Sequence, residues 1–275
     1  MADANLQSPL PDSPRIIYGK NPLGQVICQL RFPSILRITA ESPVEFQERI
    51  RSEYPVLRER RAEIDLPSGI PPAVAQQIVR SLPKRNAGGY DFISEDGTWK
   101  VSLAGEFLAL TVGRYEQWEH LRQHLAGPLK ALIEVYKPAF FTRAGLRYQN
   151  VICRTRLGLP SDTPWSLLIQ PHIAGVLAKR EVASVVEEFQ SQTALALGAH
   201  GVHVRMRTGI VETADLPGEG CFLIDNDFFS QEKVTIDNVE TVLEYLNRQS
   251  GRLFRWCIED RLHDAMEPRL VEASA

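Results

Sequence analysis

The chain has few cysteines and no close pair among them. Cys28, Cys153, Cys221 and Cys257 are scattered over 275 residues. Without a CxxC pair the zinc ribbons and thioredoxin-type redox motifs fall away. Each cysteine sits in an apolar run, so the expectation is four reduced thiols packed as small hydrophobes, with no disulfide framework. An excess of positive charge is also lacking: 31 Lys and Arg stand against 34 Asp and Glu, a formal net charge of −3. That argues against broad, sequence-independent nucleic-acid binding and leaves room only for a local basic patch. No apolar run approaches the length that crosses a bilayer as a helix. Residues 1–14 carry neither the basic start nor the hydrophobic stretch of a signal peptide, so a cytoplasmic location is expected. There is no Walker A loop, no Gly-x-Gly-x-x-Gly after a strand, no Gly-x-Ser-x-Gly and no zinc-finger spacing. The familiar nucleotide and hydrolase classes lose ground accordingly, and no cofactor, metal site or catalytic residue is assigned.

What is present is core material. Hydrophobic residues make up 44% and charged residues 24% of the chain, the composition of an ordinary globular protein. A short segment occurs twice. Val26, Ile27, Cys28 and Arg31 recur as Val151, Ile152, Cys153 and Arg156, and Ser42-Pro43 and Thr163-Pro164 follow as helix starts. A strand over 25–32 is followed by a capping box at Ser42–Glu45, which opens a helix to about Tyr54. A strand over 56–64, a short helix from Pro71 to Val79 and a loop over 84–89 come next. Tyr90–Ser94, Trp99–Leu103 and Phe107–Val112 are strands parted by Glu95-Asp96-Gly97 and Ala104-Gly105, which is hairpin chemistry. Tyr115, Trp118, Leu121, Leu125, Leu129, Leu132 and Tyr136 form a helical stripe that should kink at Gly127-Pro128 and end at Lys137-Pro138. The second half repeats this order: a strand over 141–156, a helix from Thr163-Pro164 to about Leu177, and strands over 183–197, 202–213 and 221–228. A last helix capped by Asp237 carries an apolar stripe as far as Leu262.

The fold class this predicts is α+β: duplicated halves of strand, helix, antiparallel strands and long helix, with the helices packed on curved antiparallel sheet. The order of elements resembles the TATA-binding-protein-like and helix-grip classes. The expected organisation is a tail over 1–14, an N-terminal half over 15–138, a C-terminal half over 139–266 packed with it as one unit, and a tail over 267–275.

Alternation along strands selects the residues that could carry chemistry. His203, Arg205 and Arg207 share one side of their strand, as do Arg143 and Arg147, with Gly145 leaving room between them. Such a set can converge on phosphate or carboxylate. It can equally be a solvated sheet face whose arginines pair with neighbouring carboxylates. Tyr148 and Asn150 fall on the other side of the Arg143 strand. Asp225 and Asp227 share one side of theirs, suited either to cross-strand pairing with the arginines or to a divalent ion and acid–base work. His120 and His124 lie four apart on one helix, but no glutamate follows the first and no third ligand is evident.

Three segments resemble a sporadically distributed, uncharacterised prokaryotic protein family: Pro22–Pro33, the central Thr142–Asn150 with its Arg-x-Gly-Leu-Arg-Tyr-x-Asn pattern, and Leu223–Asp227. The likeness runs from about 20 to 265. Gln25 and Gln29 stand where the family pattern carries acids. The resemblance implies no assigned activity, and its patchy occurrence suits an accessory gene of mobile or defence loci. Together these readings favour a non-enzymatic binding module, regulatory or defence-accessory, that recognises a partner protein or an anionic ligand. Its expected binding residues are Arg143, Arg147, Tyr148, Asn150, His203, Arg205, Arg207, Asp225 and Asp227. Nucleic acid is the less favoured partner. The alternative is a metal-dependent phosphodiesterase or nuclease that uses Asp225 and Asp227.

Overall fold

The computed structural model describes residues 8–61, 87–198 and 201–271. The described strands are β1 Ile16–Tyr18, β2 Leu23–Arg31, β3 Val56–Arg61, β4 Ala87–Ile93, β5 Trp99–Ala104, β6 Phe107–Val112, β7 Arg143–Ile152, β8 Gln190–Ala196, β9 Val202–Thr213, β10 Leu216–Ser230 and β11 Pro268–Leu270. The described helices are α1 Leu36–Ala40, α2 Val44–Ile50, α3 Trp118–Tyr136, α4 Pro171–Ala174, α5 Arg180–Ala183, α6 Val239–Cys257 and α7 Asp260–Ala265. Nine strands form one antiparallel sheet in the order β3-β4-β5-β6-β2-β7-β10-β9-β8. Strands β2 and β7 lie side by side near its centre, with β6, β5, β4 and β3 running outward from β2 and β10, β9 and β8 outward from β7.

The alternation of side chains divides the sheet into a buried face and an open one. Val26, Cys28, Leu30, Leu146, Val204, Phe222, Ile224 and Phe228 are all fully buried and point toward the helices. The helical layer fits this face because its stripes repeat every three or four residues. In α6, Val242, Leu243, Leu246, Leu253 and Cys257 are buried; in α3, Leu121, Leu125, Leu129 and Leu132 are. Phe46 of α2 packs 5.4 Å from Phe92 and 6.3 Å from Tyr136, joining helices and sheet. The protein is thus α+β, with helices packed against a large antiparallel sheet. Among the described residues no helix is long and apolar enough to cross a membrane.

Several expectations need correction. The recurring segment does not occupy matching settings. Val26, Cys28 and Arg31 lie within β2, whereas Cys153 falls just past the end of β7 and Arg156 lies in a 3-10 turn, Thr155–Leu157. Neither capping box forms. The cap positions are Pro43 and Asn238, one residue beyond the expected Ser42 and Asp237, and neither side chain caps its helix. Helix α2 ends at Ile50. No helix spans 163–177: Pro164 precedes the 3-10 turn Trp165–Leu167, Pro171 ends any continuation of it and starts α4, and the 3-10 turn Gly175–Ala178 follows. The α6 stripe stops at Cys257, and Leu262 belongs to α7. By contrast, α3 runs unbroken through Pro128 and ends where expected, with Lys137 in the left-handed conformation before Pro138. The terminal segments are partly built in: Leu10 is 7% exposed and β1 pairs with β11. The expected helix at Pro71–Val79 lies outside the described residues.

The cysteines divide. Cys28 and Cys257 are free and buried, and burial pushes both thiols up to about 12, which makes them inert packing groups. Cys153 and Cys221, expected as thiols, are joined by a disulfide with a Cα–Cα distance of 4.6 Å. Sequence spacing hid the pair. The β7–β10 register sets Ile152 against Phe222, and the next position along is Cys153 against Cys221.

Candidate functional site

The register gathers the charged strand positions onto the open face. Asp227 of β10 lies between Arg147 of β7 and Arg205 of β9, and Asp225 lies between Gln149 and Arg207. Gln29 of β2 sits opposite Gly145. The sequence placed Arg143, Arg147, His203, Arg205, Arg207, Asp225 and Asp227 on strand faces. The fold makes those faces one surface.

Two ion pairs organise it. The Arg147 guanidinium grips Asp225 with two bonds, Nε to Oδ1 at 2.7 Å and Nη2 to Oδ2 at 2.5 Å. The Asp225 side chain is only 6% exposed, and its carboxylate holds the Arg147 pKa above the ordinary arginine value. Arg143 lies back along its strand to reach Asp227 Oδ1 at 2.6 Å and donates to Gln29 Oε1 at 3.1 Å. It can do so because it crosses Gly145. A Cβ there would stand 2.4 Å from Arg143 Nη1. Gly145→Ala should therefore lift Arg143 away from Asp227 and cost about 1 kcal/mol in urea unfolding. An unchanged denaturation midpoint would contradict this reading.

Phe229 is the member that sequence reasoning missed. Its ring lies 4.9 Å from the Arg143 guanidinium carbon and 6.0 Å from that of Arg205, and His203 stacks against it at 6.0 Å. The signal was in the chain. Strand alternation from Asp225 and Asp227 continues to Phe229, which puts an aromatic on the charged face where cations gain from its quadrupole.

Arg205 and Arg207 differ from the other two arginines. Both are exposed, and neither has an ion pair among the described residues. Arg143 and Arg147 are neutralised and act as struts; the charges of Arg205 and Arg207 are unmatched among the described residues. Both aspartates are engaged by guanidinium groups, and among the described residues no group of three His, Cys, Asp or Glu could hold a metal.

Tyr148 and Asn150 do not join this surface. They are buried on the helix side, where the Tyr148 hydroxyl donates to Asn247 Oδ1 at 3.0 Å and the Asn150 amide donates to the Ile224 carbonyl at 3.3 Å. Both line a cavity of about 520 Å³. Desolvation raises the Tyr148 hydroxyl well above the ordinary tyrosine range, so it is a permanent neutral donor. The histidine pair is likewise occupied: His120 pairs with Glu116, and His124 stacks on Trp99 at 3.9 Å. Desolvation lowers the His124 pKa, keeping that ring neutral.

No protein-family model matches the chain, and no curated protein matches it. Among solved structures, one described as KH domains aligns over 93% of this chain and 90% of that one, at 12% identity and a TM-score of 0.26. A likeness that slight carries no argument.

Proposed function

We propose that the protein is a non-enzymatic binding module that takes an acidic partner protein or an anionic ligand on the open face of its sheet. One observation carries this reading. By register, the described part of that face holds eight cations (Arg31, Arg58, Arg60, Lys100, Arg143, Arg147, Arg205 and Arg207) against three carboxylates (Asp91, Asp225 and Asp227), and Glu106 at the β5–β6 turn pairs with Arg31 as a fourth, an excess of four. The whole chain has a net charge of −3. Charge so segregated steers and orients an oppositely charged partner. The face supplies guanidinium groups and an aromatic ring, the elements of anion recognition, and its carboxylates are spent on arginines rather than free for acid–base work. That disfavours the metal-dependent nuclease reading, which needs Asp225 and Asp227 free to hold an ion.

A cytoplasmic location and an accessory role in mobile or defence loci complete the proposal; the second rests on the family resemblance. The location has its own test. The Cys153–Cys221 bond leaves Cys28 and Cys257 as the two free thiols, and a reducing compartment would open it, so thiol counting on protein from the native host separates the cases: four thiols support a cytoplasmic location and two refute it.

The binding face is tested by Arg205→Glu/Arg207→Glu. Both side chains are exposed, and the new carboxylates stand opposite Asp227 and Asp225, so unfolding should be easier by only about 1 kcal/mol and the fold retained. Two surface contacts of up to about 1 kcal/mol each make binding to heparin, used as a polyanion probe, roughly 30-fold weaker at low salt. Acidic peptides and single-stranded oligonucleotides, run beside it, identify the class of occupant. Unchanged heparin affinity in the double variant would refute the assignment.

A further inference from the structure

The helix side holds a second feature that the open face does not explain. The cavity of about 520 Å³ lies between the N-terminal segment from Asp12 to Tyr18, the start of α3 and the middle of α6, with Tyr148, Asn150 and Asn226 lining it from the sheet. Its size falls within the range of small-molecule sites.

Its polar atoms are incompletely paired. Asn226 is 1% exposed and Trp118 is 6% exposed, yet Asn226 Oδ1 and Trp118 Nε1 have no hydrogen-bond partner, and neither does the buried Nε of Arg252. All three residues line this cavity. Buried polar groups are nearly always satisfied; these three atoms are sealed from the hollow as the side chains stand, and a turn of each side chain would bring it to an occupant. Two are donors and one is an acceptor, so an occupant bearing both C=O and N–H groups could satisfy them.

The walls supply the rest. Tyr115 meets Tyr148 edge-on at 5.8 Å, and Tyr18 meets Phe254 edge-on at 5.8 Å, an aromatic lining suited to a flat ring. Most of the charges around the cavity are already matched: Arg15 with Glu119 at 2.5 Å, Arg122 with Glu244 at 2.9 Å, Arg252 with Asp12, Arg255 with Asp260 and Glu116 with His120. Arg248 is exposed, lines the cavity and has no ion pair among the described residues. It leaves one positive charge for the occupant to meet.

We propose that this cavity binds a small planar heterocycle with an amide-like edge and a single anionic group. A nucleoside monophosphate and a heterocyclic carboxylate share that chemistry. The site is separate from the sheet face and does not depend on its assignment.

The test uses the full chain with uridine 5′-monophosphate, its adenosine, guanosine and cytidine counterparts, and orotate; inorganic phosphate is the charge-only control. At millimolar concentration at least one ring-bearing probe should raise Tm by about 3 °C or more, and phosphate alone should not. The identity of that probe separates the two sources. Arg248→Glu, on the surface, should weaken its binding at least tenfold. Trp118→Phe, which keeps a ring and removes the N–H, should weaken it several-fold. The Arg205→Glu/Arg207→Glu variant should respond like the parent, so failure here and failure of the sheet-face reading are distinguishable. The proposal is overturned if no ring-bearing probe stabilises the chain, if phosphate alone matches the best probe, or if Arg248→Glu binds that probe as the parent does.

Discussion

Arg147→Met should cost about 2 kcal/mol, and Arg147→Met combined with Arg207→Met about 4 kcal/mol, more than the two single costs added. The reason lies in Asp225. Its side chain is 6% exposed, and Arg147, itself 34% exposed, meets it with two bonds. Removing one member of such a pair strands a charge with little access to water, which typically costs about 3–5 kcal/mol. Here the cost is partly recovered. Arg207 stands directly across from Asp225 on β9 and carries no ion pair among the described residues, so it can swing in as a substitute. Urea denaturation of the two single variants and the double variant measures the coupling, since contacting residues fail to add. Strict additivity would show that Arg207 does not back up the pair. The substitution also has a functional reading. Once drawn onto Asp225, Arg207 is no longer free for an outside anion, so Arg147→Met should lose heparin affinity although Arg147 itself is a strut.

This arrangement shows where sequence legibility stops. The β4–β6 hairpins were readable because Glu95-Asp96-Gly97 and Ala104-Gly105 are local turn chemistry. Helices α3 and α6 were readable because a 3.6-residue period needs no partner to be seen. Which side of its own strand each charge occupies was also plain. Strand order was not, because β7 meets β10 across more than seventy residues of chain and no local signal encodes that pairing. Hence Arg147 and Asp225 could be named but not joined, and Cys153 and Cys221 were read as separate thiols. The capping boxes failed for a related reason. The dipeptides Ser42-Pro43 and Asp237-Asn238 are consistent with a cap, but the helices begin one residue later than their pattern suggests. Tyr148 and Asn150 were assigned to the correct side of β7. What escaped was that α3, α6 and the N-terminal segment leave a hollow over them.

Reducing the Cys153–Cys221 bond should lower the melting temperature by roughly 10 °C while leaving anion binding in place. The bond closes a loop of sequence separation 68. Loop-closure entropy of that length constrains the unfolded chain by about 4 kcal/mol, and each kcal/mol moves Tm by about 2–4 °C in a protein of this size. The native state has little reason to rearrange when the bond is cut. Cys153 and Cys221 are 1% and 0% exposed, and nine residue pairs hold β7 to β10 from Phe222↔Ile152 to Ser230↔Ala144. The ladder that sets Arg147 against Asp225 lies inside those pairs, so its register does not depend on the sulfur atoms. Melting curves with and without reductant, and of Cys153→Ser/Cys221→Ser, should agree on the size of the loss. Equal melting temperatures in both redox states would mean that the bond does not form in solution. A parallel fall in heparin affinity would mean that the strand pairing, and with it the charged face, needs the covalent link to keep its geometry.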